Sequence, residues 1–430
     1  MRGRIILPLE DNLKRTIFAA ALSFMAAGAA FSMEIEKPFF SGTTGFFASI
    51  ASNKDKDSFD AECNAESYFA GLFDFSGKLF LRGEFYITSD SLFKDEVSEK
   101  NAVFRIEEIS ATYKAIGDSG SHYFSLFKGN YEPFGSDIFL QRQFGIAKIN
   151  SNLTESYHGI EGASIFPLYT TGISYTYHSD GNKAISLSLH KNQKYRNERK
   201  NKDALNFDFR FAGLYDYATI DSIAGLVFPK GGDDDNSILN IDEVLFQAGI
   251  NALFGHKKSF MLHTQFGVDG LYIKKNDDCD DSINMKNFHI LIEPRIPVSD
   301  YYFNPSAFNF PVKTAADMVY LRPFVIKHPE EVNVLGINFN LANENLYIGS
   351  SKVTAGIHGT IIMTEIDNDN LLDHPITTIN DSEKTFILTT YANMEVFGGN
   401  ITASISVDTK EIKDTPSKSI SGTIGFRTNF

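Results

Sequence analysis

Tryptophan is absent from this 430-residue chain, and cysteine is limited to Cys63 and Cys279. Two thiols are too few for a disulfide scaffold. Positive charge is also in deficit: 40 Lys and Arg face 54 Asp and Glu, a net charge of −14. Nucleic acid needs a basic stripe, so this balance argues against it as a partner. Long apolar runs are missing too, and the slightly negative mean hydropathy argues against a bundle of membrane helices. The one uncharged run of that kind is 16–32, "TIFAAALSFMAAGAAFS". It follows Lys14-Arg15 and closes on small residues, so residues 1–32 read as a secretory signal peptide, cleaved after Ala30 or Ser32, rather than an anchor helix. Export to an oxidising compartment would permit a Cys63–Cys279 bond, and the two thiols could equally stay unpaired.

Motifs for chemistry are lacking as well. There is no nucleophile elbow, no HExxH and no comparable constellation, although alternation points His190, His263 and His358 the same way. The chain therefore reads as non-enzymatic. The acidic stretches "GGDDDN" (231–236) and "NDDCDDS" (276–282) do not have the ordered spacing of a calcium loop and read as solvated acid. The basic stretch 190–202 reads as a charged loop able to meet anionic headgroups. No metal or cofactor is expected. A sequence repeat of 40–50 residues, the mark of a propeller, is missing, and no linker divides the chain. One domain, 33–430, is expected.

What is present is alternation at period two, the mark of strands whose two faces see different surroundings. In "KLFLRGEFYIT" (78–88), Leu79, Leu81 and Phe85 oppose Lys78, Arg82 and Glu84. In "ALNFDFRFAG" (204–213), Leu205, Phe207, Phe209 and Phe211 oppose Asn206, Asp208 and Arg210. The same contrast returns at 243–255, 351–364, 400–410 and 419–430. With segments at 39–51, 65–75, 104–116, 121–133, 156–166, 170–179, 183–191, 218–228, 258–273, 286–293, 317–327, 331–342 and 384–397, the count reaches nineteen. Segments of 10–13 residues match a tilted bilayer crossing, and full charges opposite an almost purely apolar face suit a wet lumen inside and lipid outside. Tight turns at 75–77, 179–182, 255–258 and 398–400 contrast with long connections at 89–103, 134–155, 192–203, 229–240, 274–285, 296–316 and 365–383. The reading is a transmembrane antiparallel β-barrel. Single-chain bacterial barrels have even strand numbers, so nineteen should become about 18, with 16 or 20 also compatible.

A leader followed by repeated amphipathic strands and a final "ISGTIGFRTNF" resembles Gram-negative outer-membrane β-barrel proteins, porins in particular. The resemblance is one of pattern over the whole mature chain. It implies that Ile424, Phe426 and Phe430 form a C-terminal signal read by the barrel-assembly machinery, with Thr428 where an aromatic is common. It implies a location in the outer membrane among its lipids, and a last strand that closes against the first near 39–51. A homo-oligomer is compatible with it.

Charges facing a lumen set the selectivity of a diffusion pore. The candidates are Lys78, Arg82, Glu84, Lys128, Asp208, Arg210, Lys352, Glu395, Asp408 and Arg427. Loss of 1–32 removes Arg2, Arg4, Lys14 and Arg15 with Glu10 and Asp11, which leaves 36 basic against 52 acidic side chains, about −16. The expected function is passive diffusion of small hydrophilic solutes with a weak cation preference. Segments 134–155 and 296–316, long and rich in apolar residues, are candidates to fold inward. The alternatives are a transporter of hydrophobic compounds, which would carry an N-terminal plug where this chain has only "MEIEKP" (33–38), and a surface adhesin or structural barrel.

Overall fold

The computed structural model describes residues 39–52, 61–75, 77–90, 102–156, 162–166, 169–192, 204–229, 243–256, 259–274, 285–328, 332–364, 371, 374–396, 398–414 and 419–430. The leader 1–32, Cys279, both acidic stretches and the basic stretch beyond Asn192 lie outside them. The strands are β1 (Phe39–Ser52), β2 (Ala61–Asp74), β3 (Leu79–Asp90), β4 (Ala102–Gly117), β5 (Gly120–Gly129), β6 (Thr170–Ser179), β7 (Lys183–Asn192), β8 (Ala204–Tyr215) and β9 (Ala218–Pro229). They continue as β10 (Val244–Gly255), β11 (Met261–Lys274), β12 (Phe288–Val298), β13 (Tyr301–Pro311), β14 (Asn333–Ile348), β15 (Ser351–Thr364), β16 (Glu383–Val396), β17 (Gly399–Asp408) and β18 (Ile420–Asn429).

Each strand pairs antiparallel with its sequence neighbours, and β18 pairs with β1, so the 18-stranded sheet closes on itself. Along the seam Thr43 faces Asn429 and Ala51 faces Ser421, and Gly42 and Phe430 exchange two backbone hydrogen bonds of 2.9 Å. The Phe430 ring lies 5.3 Å from Phe40 and 5.6 Å from Phe69. Closure leaves no edge with unpaired backbone groups, the condition a sheet must meet in hydrocarbon.

The faces are inverted relative to a soluble domain. Leu126, Ile173, Ile405 and Ile424 look outward with half or more of their surface exposed, while Glu108, Asp221, Asn251, His263 and Asn338 are fully buried inside. The tight turns gather on one rim, among them 117–120, 179–183, 215–218, 298–301 and 348–351. The long connections gather on the other, which is the external side of such barrels.

Three expectations fail, and together they take the count from nineteen to eighteen. Residues 156–166 and 317–327 are not wall strands. Among the described residues at and beside the first, the pairings are isolated bridges, Glu155 with Gly162 and Ser156 with Met318. The second is a turn followed by a helix, Arg322–Lys327, which Pro323 suits by standing at a first-turn position where its missing N–H costs no helical bond. Conversely, 296–316 is not a long loop: β12 turns at Ser299–Asp300, Ser299 with φ 57°, straight into β13. Its prolines suggest a loop, yet Pro305, like Pro294 of β12 before the segment, falls where the β12–β13 ladder is interrupted between Ile292–Ala307 and Ile296–Phe303, so no bond between these strands needs its absent N–H there.

Candidate functional site

Two inward segments occupy the lumen. The first leaves β5 at Asn130 and returns to β6 at Thr170. Its helix α1 (Ile138–Phe144) starts after Asp137, held at φ 66° because its Oδ2 accepts the N–H groups of Ile149 (2.7 Å) and Asn150 (2.8 Å). It stops at Gly145, φ 64°, whose N–H donates to the Gln141 carbonyl, a left-handed C-terminal cap. Phe139 and Leu140 are fully buried, clustered with Ala184 and Ala212 of β7 and β8, where small wall residues leave room for them. Phe134 stacks on Phe166 at 5.7 Å. Phe134 also sits over Gly249 and Ile165 over Gly267, residues paired across β10 and β11, so that a Cβ at either glycine would collide with the segment.

Polar groups fasten this segment to the wall. Arg142 of α1 reaches Glu108 of β4 at 2.6 Å, Glu84 of β3 at 3.7 Å and Glu132 of its own segment at 3.6 Å. Burial lifts the Glu132 carboxyl above its ordinary pKa even though Arg142 opposes the shift. Arg210 of β8 makes a two-pronged pair with Asp221 of β9 (2.8 and 2.6 Å), donates to the Glu132 carbonyl at 2.6 Å and lies 4.2 Å over the Phe139 ring. Arg295 of β12 pairs with Glu293 at 2.8 Å and donates to the Ile149 and Asn150 carbonyls, both at 2.9 Å. Ser151 donates to the other Glu293 oxygen.

The second segment joins β13 to β14 through α2 (Val312–Ala315) and α3 (Arg322–Lys327). Met318, Leu321 and Phe324 pack with Leu291, Phe308 and Phe310 of the wall and with Leu153 of the first segment. Tyr320 lies 4.4 Å from the His358 ring, and Arg322 pairs with Glu66 of β2 at 3.5 Å. The segments bond to each other where the Val319 N–H donates to the Glu155 carbonyl at 2.9 Å. Beside them, a narrow open space of about 50 Å³ remains against β16, β17, β18 and β1. Asn393, Asn400, Thr402, Ser404 and Thr423 line it, with Glu155 and Arg427. Burial raises the half-buried Glu155 carboxyl, with Lys148 and Arg427 opposing.

The sequence candidates distribute as follows. Arg82 and Glu84 bond each other at 2.7 Å inside the lumen. Asp208 accepts from Gln247 and bonds His190, both at 2.7 Å. Asp208 and Arg210 are buried, so with Glu84 they are wall fastenings rather than solvated pore charges. Arg427 lines the open space. Lys352 and Glu395 share the inward parity of their strands near the tight-turn rim, where both are exposed, and Lys78 is exposed in the β2–β3 turn. Asp408 is buried at the long-loop end of β17 and accepts the Lys410 N–H at 3.1 Å. Lys128 is misassigned: it shares the outward face of β5 with Phe124 and Leu126, while Phe127 points in and stacks on Tyr131 at 4.3 Å. Cys63 is buried in β2, opposite Ile50. The inward histidines bond wall residues: His263 with Asn251 at 3.0 Å and His358 with Asn338 at 3.3 Å.

Glu108, Asp221, Glu293 and Arg295 complete the fastenings and were not among the sequence candidates. For Glu108 the reason is a bulge between Glu84 and Phe85 that shifts the β3–β4 register and breaks strict alternation.

A closed, even-numbered antiparallel barrel, apolar outside and polar within, is a bacterial outer-membrane β-barrel of porin-like architecture. No protein-family model matches the chain, and no curated protein matches it in sequence. Among solved structures it is similar to a mutant of the Rh. blastica porin, with 8% identity over 91% of this chain and 99% of that one and a TM-score of 0.41. It is also similar to Wzi of Escherichia coli, described as a carbohydrate-binding β-barrel involved in group 1 capsule assembly, with 9% identity over 96% of this chain and 88% of that one and a TM-score of 0.46.

Proposed function

We propose that this barrel is a narrow, non-enzymatic channel for small hydrophilic solutes, whose path runs between the inward segments and the β16–β17–β18–β1 wall. The observation that carries this reading is the strip of amide and hydroxyl side chains, Asn393, Asn400, Thr402, Ser404 and Thr423, around the remaining open space. Such groups can exchange hydrogen bonds with a passing solute in place of water. Glu155 and Arg427 line the same space and would impose a transverse field. The net negative charge of the chain supports a weak preference for cations.

Planar-bilayer recording in a KCl gradient tests the reading. Small, stable steps with a reversal potential favouring K⁺ are expected. Silence from protein that migrates as a folded, heat-modifiable barrel would refute it. A second reading has its own support: the inward segments are tied to each other and to the wall, which favours a closed barrel whose external loops bind a surface partner. Silence would move the weight there.

A further inference from the structure

The first inward segment closes a second chamber against a different arc of wall from the solute path. Strands β5 to β10 supply one side of it, and Tyr131, Glu132, Phe134 and Phe166 of the segment supply the other. It measures about 40 Å³, room for about three water-sized groups at roughly 10–15 Å³ each. Its polar wall is built around Asp208 of β8, with His190 of β7 and Gln247 of β10. Gly225 of β9 stands in register between Asp208 and Gln247. A Cβ there would collide with both side chains, so its bare backbone lets the two meet across β9.

The carboxylate decides how its neighbours are turned. An ionised carboxylate accepts and cannot donate. The Gln247 contact with Asp208 Oδ1 at 2.7 Å is therefore made by the amide NH2, and the His190 contact with Oδ2 at 2.7 Å by Nε2–H. Each side chain is left with an acceptor: Gln247 Oε1 and, with the imidazole neutral, His190 Nδ1. Neither atom has a hydrogen-bond partner among the described residues, although the two side chains are only 1% and 4% exposed. Buried acceptors in this state favour any group that brings a donor to them.

Charge points the same way. Among the described residues Asp208 bonds an imidazole and an amide, so with His190 neutral its charge has no cationic partner. Arg210 also lines the chamber, but it is committed to Asp221 by two bonds and to the Glu132 carbonyl by a third. The Glu132 carboxylate faces Arg142 at 3.6 Å. The rings of Phe127 and Phe166 complete the walls, and aromatic faces favour a cation that has shed its water.

We infer that this chamber binds a small ammonium-type cation, ammonium itself or a short primary amine, whose N–H groups donate to His190 Nδ1, Gln247 Oε1 and the Asp208 carboxylate. Water would bond the acceptors but leave the charge unmatched, and sodium would match the charge but has no N–H to donate. Because one side of the chamber is the inward segment, the bound cation holds that segment to the wall. The site shares no lining residue with the solute path and does not depend on whether the barrel conducts.

Hydrogen exchange of the refolded barrel tests this at pH about 8, above the ordinary histidine pKa of about 6.5. Ammonium chloride at ten times its apparent Kd should slow exchange in the 131–134 stretch and at Ile165 about tenfold, because opening must release the ion. The Ile165 N–H reports on the segment because it donates to the Phe134 carbonyl at 2.7 Å. Sodium chloride and tetramethylammonium chloride at matched concentration should leave these rates unchanged. Gln247→Met and His190→Phe, each checked for heat-modifiable migration, remove one acceptor apiece and should lose the ammonium-dependent slowing. A purely structural role would shift their basal rates in all three salts alike and leave the ammonium effect in place, which would overturn the site. Equal slowing by sodium in the wild type would also overturn it. So would the absence of slowing at any matched ammonium concentration, which would give the chamber to ordered water.

Discussion

The first inward segment should loosen when Arg142 loses its charge. In Arg142→Gln the guanidinium no longer meets Glu108, Glu132 and Glu84, and Glu108 is left fully buried. Removing one partner of a buried pair costs about 3–5 kcal/mol. Arg82 still holds Glu84 at 2.7 Å, which argues for the low end, about 3 kcal/mol. At about 1.4 kcal/mol per tenfold, the segment should open roughly two decades more often. Hydrogen exchange with peptide-level resolution reads this directly: amides of Phe139–Arg142 should exchange about 100-fold faster, while β4 and β8 amides keep their protection. Arg142→Lys, which keeps the charge without the fork, should fall between. Unchanged exchange in α1, in a barrel with normal heat-modifiable migration, would show that the helix is held by Phe139 and Leu140 alone and would refute the electrostatic fastening.

The other predictions concern the wall and the path. Gly249→Val places a side chain where the Phe134 ring lies, so it should displace the first segment and raise single-channel conductance; conductance equal to wild type would contradict the packing. Glu155→Gln should lower the K⁺ preference and Arg427→Gln raise it, as read from reversal potential. Because the Glu155 carboxyl is raised, it loses its negative charge at a higher pH than an ordinary carboxylate, so acidification should reduce cation preference earlier in wild type than in Glu155→Gln, which has nothing to titrate there. Phe430→Ala removes contacts with Phe40 and Phe69 at the closing seam and should slow the appearance of the heat-modifiable form during refolding; an unchanged rate would make the stack incidental.

The wall was legible because each strand has one surrounding per face. Lipid against Leu205, Phe207 and Phe209 and polar lumen against Asn206, Asp208 and Arg210 write period two directly into the chain. The inward segments meet both wall and each other, so they carry no such contrast. At 317–327 the aliphatic and aromatic residues suggest a strand, whereas Met318, Leu321 and Phe324, at three-residue spacing, join one buried cluster and the adjacent Val319 and Tyr320 join another, which no alternation produces. Lys128 was misplaced because β5 carries polar and apolar residues on both faces: Ser125 and Phe127 look in while His122 and Leu126 look out, so residue type could not tell the faces apart. The lumen charges were visible, but not their partners, because Arg142 meets Glu84 and Glu108 only after a loop and two strands have folded.

The fastenings of the lumen have a consequence for assembly. Arg142–Glu108 joins residues 34 apart, but Ser151–Glu293 joins residues 142 apart, Asn152–Tyr391 239 apart and the Arg322–Glu66 pair 256 apart. Contacts of such separation form only after the chain between them has lost most of its freedom. The early strands can therefore zip as local hairpins, while the internal braces must wait for distant parts of the wall. The filling of the barrel is thus a late event coupled to sealing of the β1–β18 seam, and an unsealed intermediate would hold its two inward segments loosely and expose their apolar residues to chaperones.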